Sequence, residues 1–181
     1  MTDAAPVASG ALFERALIEE AAKKSALVWV RGPQGPARAL WHVWHDGAVC
    51  LVGDGPGEQP LDGLGLADGA SATVSVRSKD KGGRLVVFPA RVTVLEPGTE
   101  AWTATAEELR GKRLNAPDFG AVLERWAARC RVLRLVPEGA ALQRPGAMPD
   151  AATAAVPPPT PATTRRPAPA ALPRLLLRRR R

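Results

Sequence analysis

The stretch SATVSVRSKDKGGRLVVFPARVTVLEP, residues 71–97, consists of two apolar runs joined by a short basic segment. In the first run, alanine and valine alternate with polar residues, which is the period of a half-buried β-strand. The pair Gly82 and Gly83 between the runs is typical of a tight hairpin turn. The stretch therefore predicts two antiparallel strands, with Arg77 projecting from the face opposite the apolar one.

Four further segments have the pattern of short strands separated by Gly, Pro and Asp. They are residues 25–32, 37–47, 48–54 and 129–138. The links between strands, such as the HDG string after the second strand, are too short for parallel crossovers, so antiparallel pairing is expected. The order of elements predicts a mainly β fold, a six-stranded antiparallel β-barrel with peripheral helices.

Helical periodicity appears in three places outside the strands. Residues 11–25 place apolar side chains on one face and charged side chains elsewhere. The predicted apolar face of this helix consists of Leu12, Phe13, Ala16, Leu17 and Ala21. In residues 103–112, Thr105 stands three positions before a glutamate, which is the spacing of a capping box. In residues 118–130, Asp118 is the predicted N-cap.

The positive charge of the chain is concentrated at its C-terminal end. The formal net charge is +7, and residues 145–181 carry seven Arg and one Asp, which leaves residues 1–144 nearly neutral. Nine of the 18 Pro also follow position 144, in a composition that buries too little surface to offset its ordering entropy. We therefore expect a flexible N-terminus over residues 1–10, a barrel domain over residues 11–144, and a disordered tail from residue 145 onward.

A nearly neutral body argues against a nucleic-acid-binding surface, because phosphate neutralisation dominates such affinity. Weak contact through the arginine-rich tail is the remaining route to nucleic acid, and a solvated tail without function is the commoner case. The sequence contains no run of the ~20 apolar residues that a membrane span needs. Its start lacks the basic and apolar regions of a secretory leader. We expect no membrane contact and a cytoplasmic location.

The cysteines and histidines do not form a recognisable catalytic or metal-binding pattern. Cys50 and Cys130 lie far apart in apolar runs, so buried thiols are expected in preference to a disulfide or a nucleophile. His42 and His45 stand three apart on a predicted strand, which directs them to opposite faces and argues against a metal site. No Ser, Cys and His arrangement suggests a nucleophile with its base.

The glycine-rich segment 53–69 lacks the spacing of a phosphate-binding loop and contains no Lys or Arg. The pattern therefore favours a flexible connector. The chain has five Trp and no Tyr, and Trp29, Trp41 and Trp44 fall on the first two predicted strands. Packing in the barrel core or in a dimer is favoured for them over a platform for stacking bases.

Several local strings together resemble the pyridoxamine 5'-phosphate oxidase-like, FMN-binding split-barrel family, and its small actinobacterial-type members in particular. The strings are ALVWVRG (26–32), ARALWHVWHDGAVCLVGD (37–54), the hairpin stretch quoted above, EAWTATAEELRGKRLN (100–115) and RWAARCRVLRLVP (125–137). With the opening helix they cover residues 11–140. The resemblance implies a six-stranded split barrel, normally a homodimer, with a flavin in a groove at the subunit interface. In some relatives the cofactor is a deazaflavin.

The same resemblance implies which residues would bind the flavin phosphate. Family members hold it with basic side chains on the second strand and at or after the third, and Arg38 matches the second-strand position. The third-strand region reads VGDGPGEQPLDGL (52–64), which is acidic and unable to neutralise a dianion. The remaining candidates are Arg77, Lys79, Lys81 and Arg84. A solvated charge cluster that protects a sheet edge is the alternative explanation for them.

Two functions stay open from the sequence. The resemblance implies a flavin-dependent oxidoreductase with FMN as cofactor, in which the flavin performs the redox chemistry and the protein binds and orients it. No residue can be named as its acid or base. The alternative is a non-catalytic dimeric split-barrel protein that has lost flavin binding, or that binds another small-molecule ligand such as a deazaflavin.

Overall fold

The computed structural model describes residues 5–80, 82–113 and 120–149. Within these ranges the chain forms three helices and seven strands. The helices are α1 (Ala5–Lys24), α2 (Glu100–Lys112) and α3 (Val122–Arg129). The strands are β1 (Leu27–Arg31), β2 (Arg38–Trp41), β3 (Val43–His45), β4 (Ala48–Gly53), β5 (Ser71–Arg77), β6 (Arg84–Leu95) and β7 (Arg131–Pro137).

The predicted hairpin is formed by β5 and β6. They pair antiparallel, with Val74 opposite Phe88, and the register shifts by one residue just before Arg77. The turn closes through Ser78, whose N–H donates to the Gly83 carbonyl at 2.7 Å and whose carbonyl accepts from the Gly82 N–H at 3.0 Å. Gly82 has a φ of +65°, a conformation that residues with a Cβ rarely adopt. The alternation of buried and exposed residues along β5 is confirmed.

The segment 37–47, predicted as one strand, is divided at His42 into β2 and β3. In the antiparallel sheet the strand order is β2-β1-β5-β6-β7-β4-β3, so these two strands form its opposite edges. In a flat seven-stranded sheet the edges would lie about 29 Å apart, which one residue cannot span. The sheet is therefore curled until its edges meet at His42, a place that we call the seam. The predicted six strands become seven for this reason, while the mainly β antiparallel class is confirmed.

The curled sheet separates two apolar clusters, and β4 contributes to both. Val49 and Leu51 face the first cluster, inside the curl, whereas Cys50 and Val52 face the second cluster, which includes Trp126 of α3. All six residues of β4 are therefore buried. The outward-facing residues of β1 and β5 remain partly or fully exposed. The helices thus cover one side of the barrel and leave another side open.

The first helix differs from its prediction in its start and in its buried face. It begins at Ala5, within the residues expected to be a flexible N-terminus. Leu12 and Phe13 were predicted to face the core, yet they are 69% and 63% exposed. The buried residues of α1 are Ile18, Ala21 and Ala22. Only the C-terminal turns of the helix rest on the barrel, so the apolar pattern of the earlier turns has no core to meet.

The capping prediction for the second helix is wrong by six positions. The N-cap of α2 is Thr99, whose hydroxyl accepts a hydrogen bond from the Trp102 N–H at 3.2 Å, while Thr105 lies buried in the middle of the helix. The capping-box spacing does not mark Thr99, because Trp102 stands three positions later, where that motif has Glu or Gln. Asp118 lies outside the described residues, and α3 begins at Val122.

The glycine-rich segment predicted as a flexible connector forms a packed plug at one end of the barrel. Leu61, Leu64 and Leu66 are at most 2% exposed and belong to the first apolar cluster. Asp54 holds the start of the segment, because its Oδ1 accepts from the N–H groups of Leu61 and Asp62 at 2.6 and 2.8 Å. The prediction failed because the three leucines, at positions 61, 64 and 66, repeat with the period of neither a strand nor a helix.

After β7 the chain turns back along β6. The Leu142 N–H donates to the Val87 carbonyl at 2.8 Å, and the Val87 N–H donates to the Gln143 carbonyl at 2.9 Å. This return covers part of the strand edge that β7 leaves open. Residues 150–181 lie outside the described residues, so the disorder and the weak nucleic-acid contact predicted for the tail stay predictions. None of the helices within the described ranges combines the length and the apolar character that crossing a membrane requires.

Candidate functional site

A cavity of about 780 Å³ lies beside the seam, and we call it the seam cavity. Its volume falls within the range of roughly 300–1,000 Å³ that is usual for small-molecule sites. Its walls come from the C-terminal end of α1, the start of β1, the seam itself and the C-terminal end of α2. Two edges of one sheet and the ends of two helices thus converge on this space.

Two tryptophans supply the aromatic walls of the seam cavity. Trp41 and Trp44 flank the seam, and both are half-buried. The guanidinium of Arg113 lies 5.7 Å from the centroid of the Trp41 ring. As predicted, both tryptophans pack against the apolar core, Trp44 against the first cluster and Trp41 against the second, while packing in a dimer stays a prediction. They also line the cavity, because the chain crosses from one sheet edge to the other between them. The faces of the two tryptophan rings that remain accessible at this crossing suit a planar ligand.

The charges around the seam cavity are close to balance. The helices α1 and α2 both end at its border, and each helix C-terminus carries a partial negative charge of about half an electron. Lys23 lines the cavity and its Nζ lies 2.5 Å from Glu19 Oε1. Lys112 and Glu108 also line it, with opposite signs, and so does Arg113, whose charge is paired with the buried Glu58. The interior therefore suits an uncharged planar group better than a phosphate dianion.

His42 forms the floor of the seam. It is 8% exposed, and its Nε2 lies 3.0 Å from the Ala22 carbonyl oxygen at the end of α1. An Nε2–H donating to that carbonyl leaves Nδ1 as the unprotonated nitrogen. Within the described part of the chain, Nδ1 is buried without a hydrogen-bond partner. Burial lowers the pKa of His42, and the hydrogen bond to Ala22 opposes that shift only in part.

Stability should therefore depend on pH through His42. In the unfolded chain this histidine takes up a proton near pH 6.5, whereas burial holds its pKa lower in the folded state. The unfolded state binds more protons between these two values, so the free energy of unfolding should fall as the pH drops below about 6.5. Urea unfolding between pH 7.5 and 5 measures the slope, and His42→Gln should flatten it. An unchanged slope in that variant would contradict the assignment.

Arg38, predicted to bind phosphate, lies on the core face of the sheet. It pairs across the strands with the buried Val30, and residues directly opposite each other share a face. Its Nη1 donates to the carbonyls of Asp62 and Pro60 at 2.7 and 3.3 Å, and lies 3.5 Å from Asp62 Oδ1. Arg38 thus fastens the plug through Nη1.

Arg77 lies next to a residue that lines the seam cavity. The Arg77 guanidinium stands over the Trp29 ring, 4.7 Å from its centroid, on the outer face of the sheet. The carbonyl of Arg77 accepts from the Ser25 hydroxyl at 3.5 Å, and Ser25 lines the cavity. Lys79 follows in the exposed turn. The backbone of Arg77 therefore lies beside the cavity, whereas Arg38 lies on the opposite face of the sheet.

The other two basic candidates lie elsewhere. Arg84 donates through Nη1 to Oε1 of Gln143, in the chain segment that returns along β6. Lys81 lies outside the described residues. The role of Arg38, Arg77, Lys79 and Arg84 as phosphate ligands stays a prediction, since their positions alone do not test it.

The glycine-rich segment 53–69 also contains buried ion pairs that the sequence analysis did not predict. The Glu58 side chain is 0% exposed and lies 3.1 Å from Arg113 Nε and 3.2 Å from Arg125 Nη2. Its Oε1 also accepts from the Trp126 indole N–H at 3.0 Å. Likewise, Asp54 Oδ2 lies 3.2 Å from Arg131. The signal in the sequence was an acidic segment with no Lys or Arg nearby. Its arginine partners could not be named from it, because they lie more than fifty positions away.

Neither the cysteines nor a metal cluster adds chemistry to the site. Cys50 and Cys130 are free, and burial raises the pKa of the Cys50 thiol to about 12. The prediction of a buried thiol is confirmed for Cys50, whereas Cys130 is only half-buried. No group of three or more His, Cys, Asp and Glu side chains among residues 5–80, 82–113 and 120–149 is placed to hold a metal ion.

The chain is similar in structure to proteins of known description. HutZ, the heme storage protein from Vibrio cholerae, is 12% identical with a TM-score of 0.52, and the match covers 69% of this chain and 90% of HutZ. An FAD-binding protein from Mesorhizobium loti is 12% identical with a TM-score of 0.44, over 72% of this chain and 90% of that protein. The FAD and heme binding protein from Mycobacterium smegmatis is 16% identical with a TM-score of 0.41, over 86% and 92%.

The similarity to HutZ shows the fold of this chain, a split barrel built on a curled antiparallel sheet. The split barrel implied by the sequence resemblance is confirmed at this level. No protein-family model and no curated protein matches the chain, so the finer placement next to pyridoxamine 5'-phosphate oxidase stays a prediction.

Proposed function

We propose that this protein binds a flavin in the seam cavity, with FMN as the cofactor, and works as an oxidoreductase. The observation that carries the proposal is the pair of tryptophans that line a near-neutral cavity of about 780 Å³. Trp41 and Trp44 present the apolar faces that an isoalloxazine ring needs. When bound, the flavin supplies hydride and electron transfer.

The phosphate of FMN has to be held outside the interior of the cavity. Two helix C-termini border that interior, and a dianion beside them would be destabilised. Arg77, which lies beside the cavity, and Lys79 in the turn that follows are the cations that would hold the phosphate, and both are accessible. The tryptophans would thus contact the isoalloxazine ring, and the hairpin residues Arg77 and Lys79 would bind the phosphate.

A second copy of the chain is part of this proposal. The outer face of β1 exposes Leu27, which is 41% exposed, and beside it the half-buried Trp29. Both belong to the open side of the barrel. We propose that a homodimer covers this face, and light scattering of the purified protein at several concentrations measures the expected doubled mass.

A flavin titration tests the proposed function. Addition of FMN should quench flavin fluorescence and raise the melting temperature, because a ligand that binds only the folded state stabilises it by about 2.7 kcal/mol at one hundred times its Kd. Replacing Arg77 and Lys79 together by Ala should weaken FMN about tenfold and leave riboflavin, which has no phosphate, unchanged. Arg91→Ala is the matched control, since Arg91 is exposed on β6 and pairs with Glu138.

Three results would contradict the proposal in different ways. No thermal shift with FMN, riboflavin or a deazaflavin would favour the non-catalytic split-barrel protein. If the wild type binds FMN tightly but the double variant loses affinity for FMN and riboflavin equally, the hairpin does not bind the phosphate. A thermal shift with a deazaflavin alone would keep the site and replace the cofactor.

Heme is a second candidate, favoured by one observation. His42 lines the cavity, and its Nδ1 has no hydrogen-bond partner within the described ranges. Because Nδ1 is buried, iron would reach it only after the imidazole ring turned toward the cavity. A neutral imidazole nitrogen of this kind is a usual ligand for iron. HutZ, which shares the fold, is a heme storage protein. A hemin titration followed at the Soret band, with His42→Gln as the comparison, separates this candidate from the flavin.

A further inference from the structure

Gln59 is fixed in place by its own backbone before its side chain makes any contact. Its carbonyl accepts from the Asp54 N–H at 3.0 Å, and it forms an isolated bridge with Gly53. A Cβ on Gly53 would lie 2.3 Å from that carbonyl oxygen, so the close approach depends on glycine. The side chain of Gln59 therefore starts from a defined position.

The side-chain amide of Gln59 binds both backbone polar groups of Trp41. Its Oε1 accepts from the Trp41 N–H at 2.8 Å, and its Nε2 donates to the Trp41 carbonyl at 2.9 Å. The same Nε2 donates to the Val52 carbonyl at 3.2 Å. Both amide hydrogens and the amide oxygen are thus engaged, which leaves the group a single orientation.

These three hydrogen bonds cross the seam. Trp41 ends β2 at one edge of the sheet, and Val52 lies in β4, next to the other edge. The amide of Gln59 takes the place that a neighbouring strand would have beside β2. On the other side, Arg113 stands over the Trp41 ring and is itself tied to Glu58. The backbone and the ring of Trp41 are therefore both fixed by contacts outside its own strand.

We infer that Gln59 is a positioning residue for the seam cavity, because it sets the placement of the Trp41 ring against which a planar ligand packs. The inference rests on the proposed function and concerns the same site. Gln59 does not line the cavity, so it acts only through Trp41. Removal of its amide should weaken ligand binding without removing any ligand contact.

The test compares affinity with local order in three variants. Gln59→Met keeps the length of the side chain and removes the amide, and Gln59→Glu keeps the acceptor for Trp41 but loses the donor. The control Asp54→Asn weakens a different anchor of the same connector, the pair with Arg131. FMN affinity is measured well below each melting temperature, and backbone amide exchange of Trp41 is measured without ligand.

We expect Gln59→Met to weaken FMN at least about tenfold, a loss of some 1.4 kcal/mol, and to speed exchange of the Trp41 amide. Gln59→Glu should fall between it and the wild type, and Asp54→Asn should lower the melting temperature while it keeps wild-type affinity. Faster Trp41 exchange with unchanged FMN affinity would overturn the inference and leave the proposed function intact. Unchanged exchange in Gln59→Met would overturn it too. If the wild type does not bind FMN, both the inference and the proposed function are contradicted.

Discussion

Glu58→Ala should lower the free energy of unfolding by about 3–5 kcal/mol. The side chain is 0% exposed and receives hydrogen bonds from Arg113, Arg125 and the Trp126 indole. Its removal leaves two guanidinium groups, which are 23% and 18% exposed, beside each other without their common anion. Because buried charges of one sign repel and are poorly hydrated, the loss exceeds that of an ordinary hydrogen bond.

Urea unfolding at pH 7.5 measures this effect, with Glu138→Ala as the control. Glu138 pairs with Arg91 at 2.9 Å, but both side chains are about half exposed at 51% and 49%. An exposed pair of this kind contributes no more than about 1 kcal/mol. Equal losses in the two variants would show that the Glu58 cluster is hydrated, contrary to the structure. Both variants remove one glutamate, which has two partly buried arginine partners at position 58 and one exposed arginine partner at position 138.

Gly32→Ala should destabilise the protein by about 3 kcal/mol, near the upper end of what overpacking usually causes. A Cβ at this position would lie 1.9 Å from the Leu64 carbonyl oxygen and 3.0 Å from a methyl carbon of Leu66. The nearer atom belongs to the backbone of the plug, so no side-chain rotation can relieve the contact. The plug must move away from β1, and its leucines then lose part of their burial.

The melting temperature of Gly32→Ala is compared with that of Gly120→Ala, where a Cβ would meet nothing within 4 Å. We expect a clear loss in the first variant and little change in the second. A wild-type melting temperature for Gly32→Ala would mean that the plug does not pack against the start of the barrel. Arg38 donates hydrogen bonds to the Asp62 and Pro60 carbonyls of the plug. Displacement of the plug would therefore break these hydrogen bonds as well.

The strands and their pairing could be read from the sequence because they depend on local patterns. The alternation in 71–77 sets one face of β5 against the core, and the Asp46-Gly47 turn has both residues at positive φ, 45° and 71°, as a two-residue hairpin requires. Such signals involve residues close in the chain. The mainly β class, the antiparallel pairing and the hairpin were therefore predictable.

The sequence could not show where residues from distant segments meet. Gln59 and Glu58 looked like parts of a flexible connector, because their partners Trp41 and Arg113 are 18 and 55 positions away. The seam was hidden for the same reason, since only curling of the whole sheet brings its two edges to His42. Leu12 and Phe13 show the converse case: their pattern is helical and apolar, but the barrel ends before it reaches them.

The sequence by itself determined the strand and helix periodicities, the antiparallel order and the basic hairpin with Arg77 and Lys79. The tertiary structure alone decided that Arg38 fastens the plug, that the acidic connector is neutralised by distant arginines, and that Trp41 and Trp44 face a cavity. The physical reason is that hydrogen-bond periodicity acts over a few residues, whereas burial and charge pairing depend on which segments the curled sheet brings together.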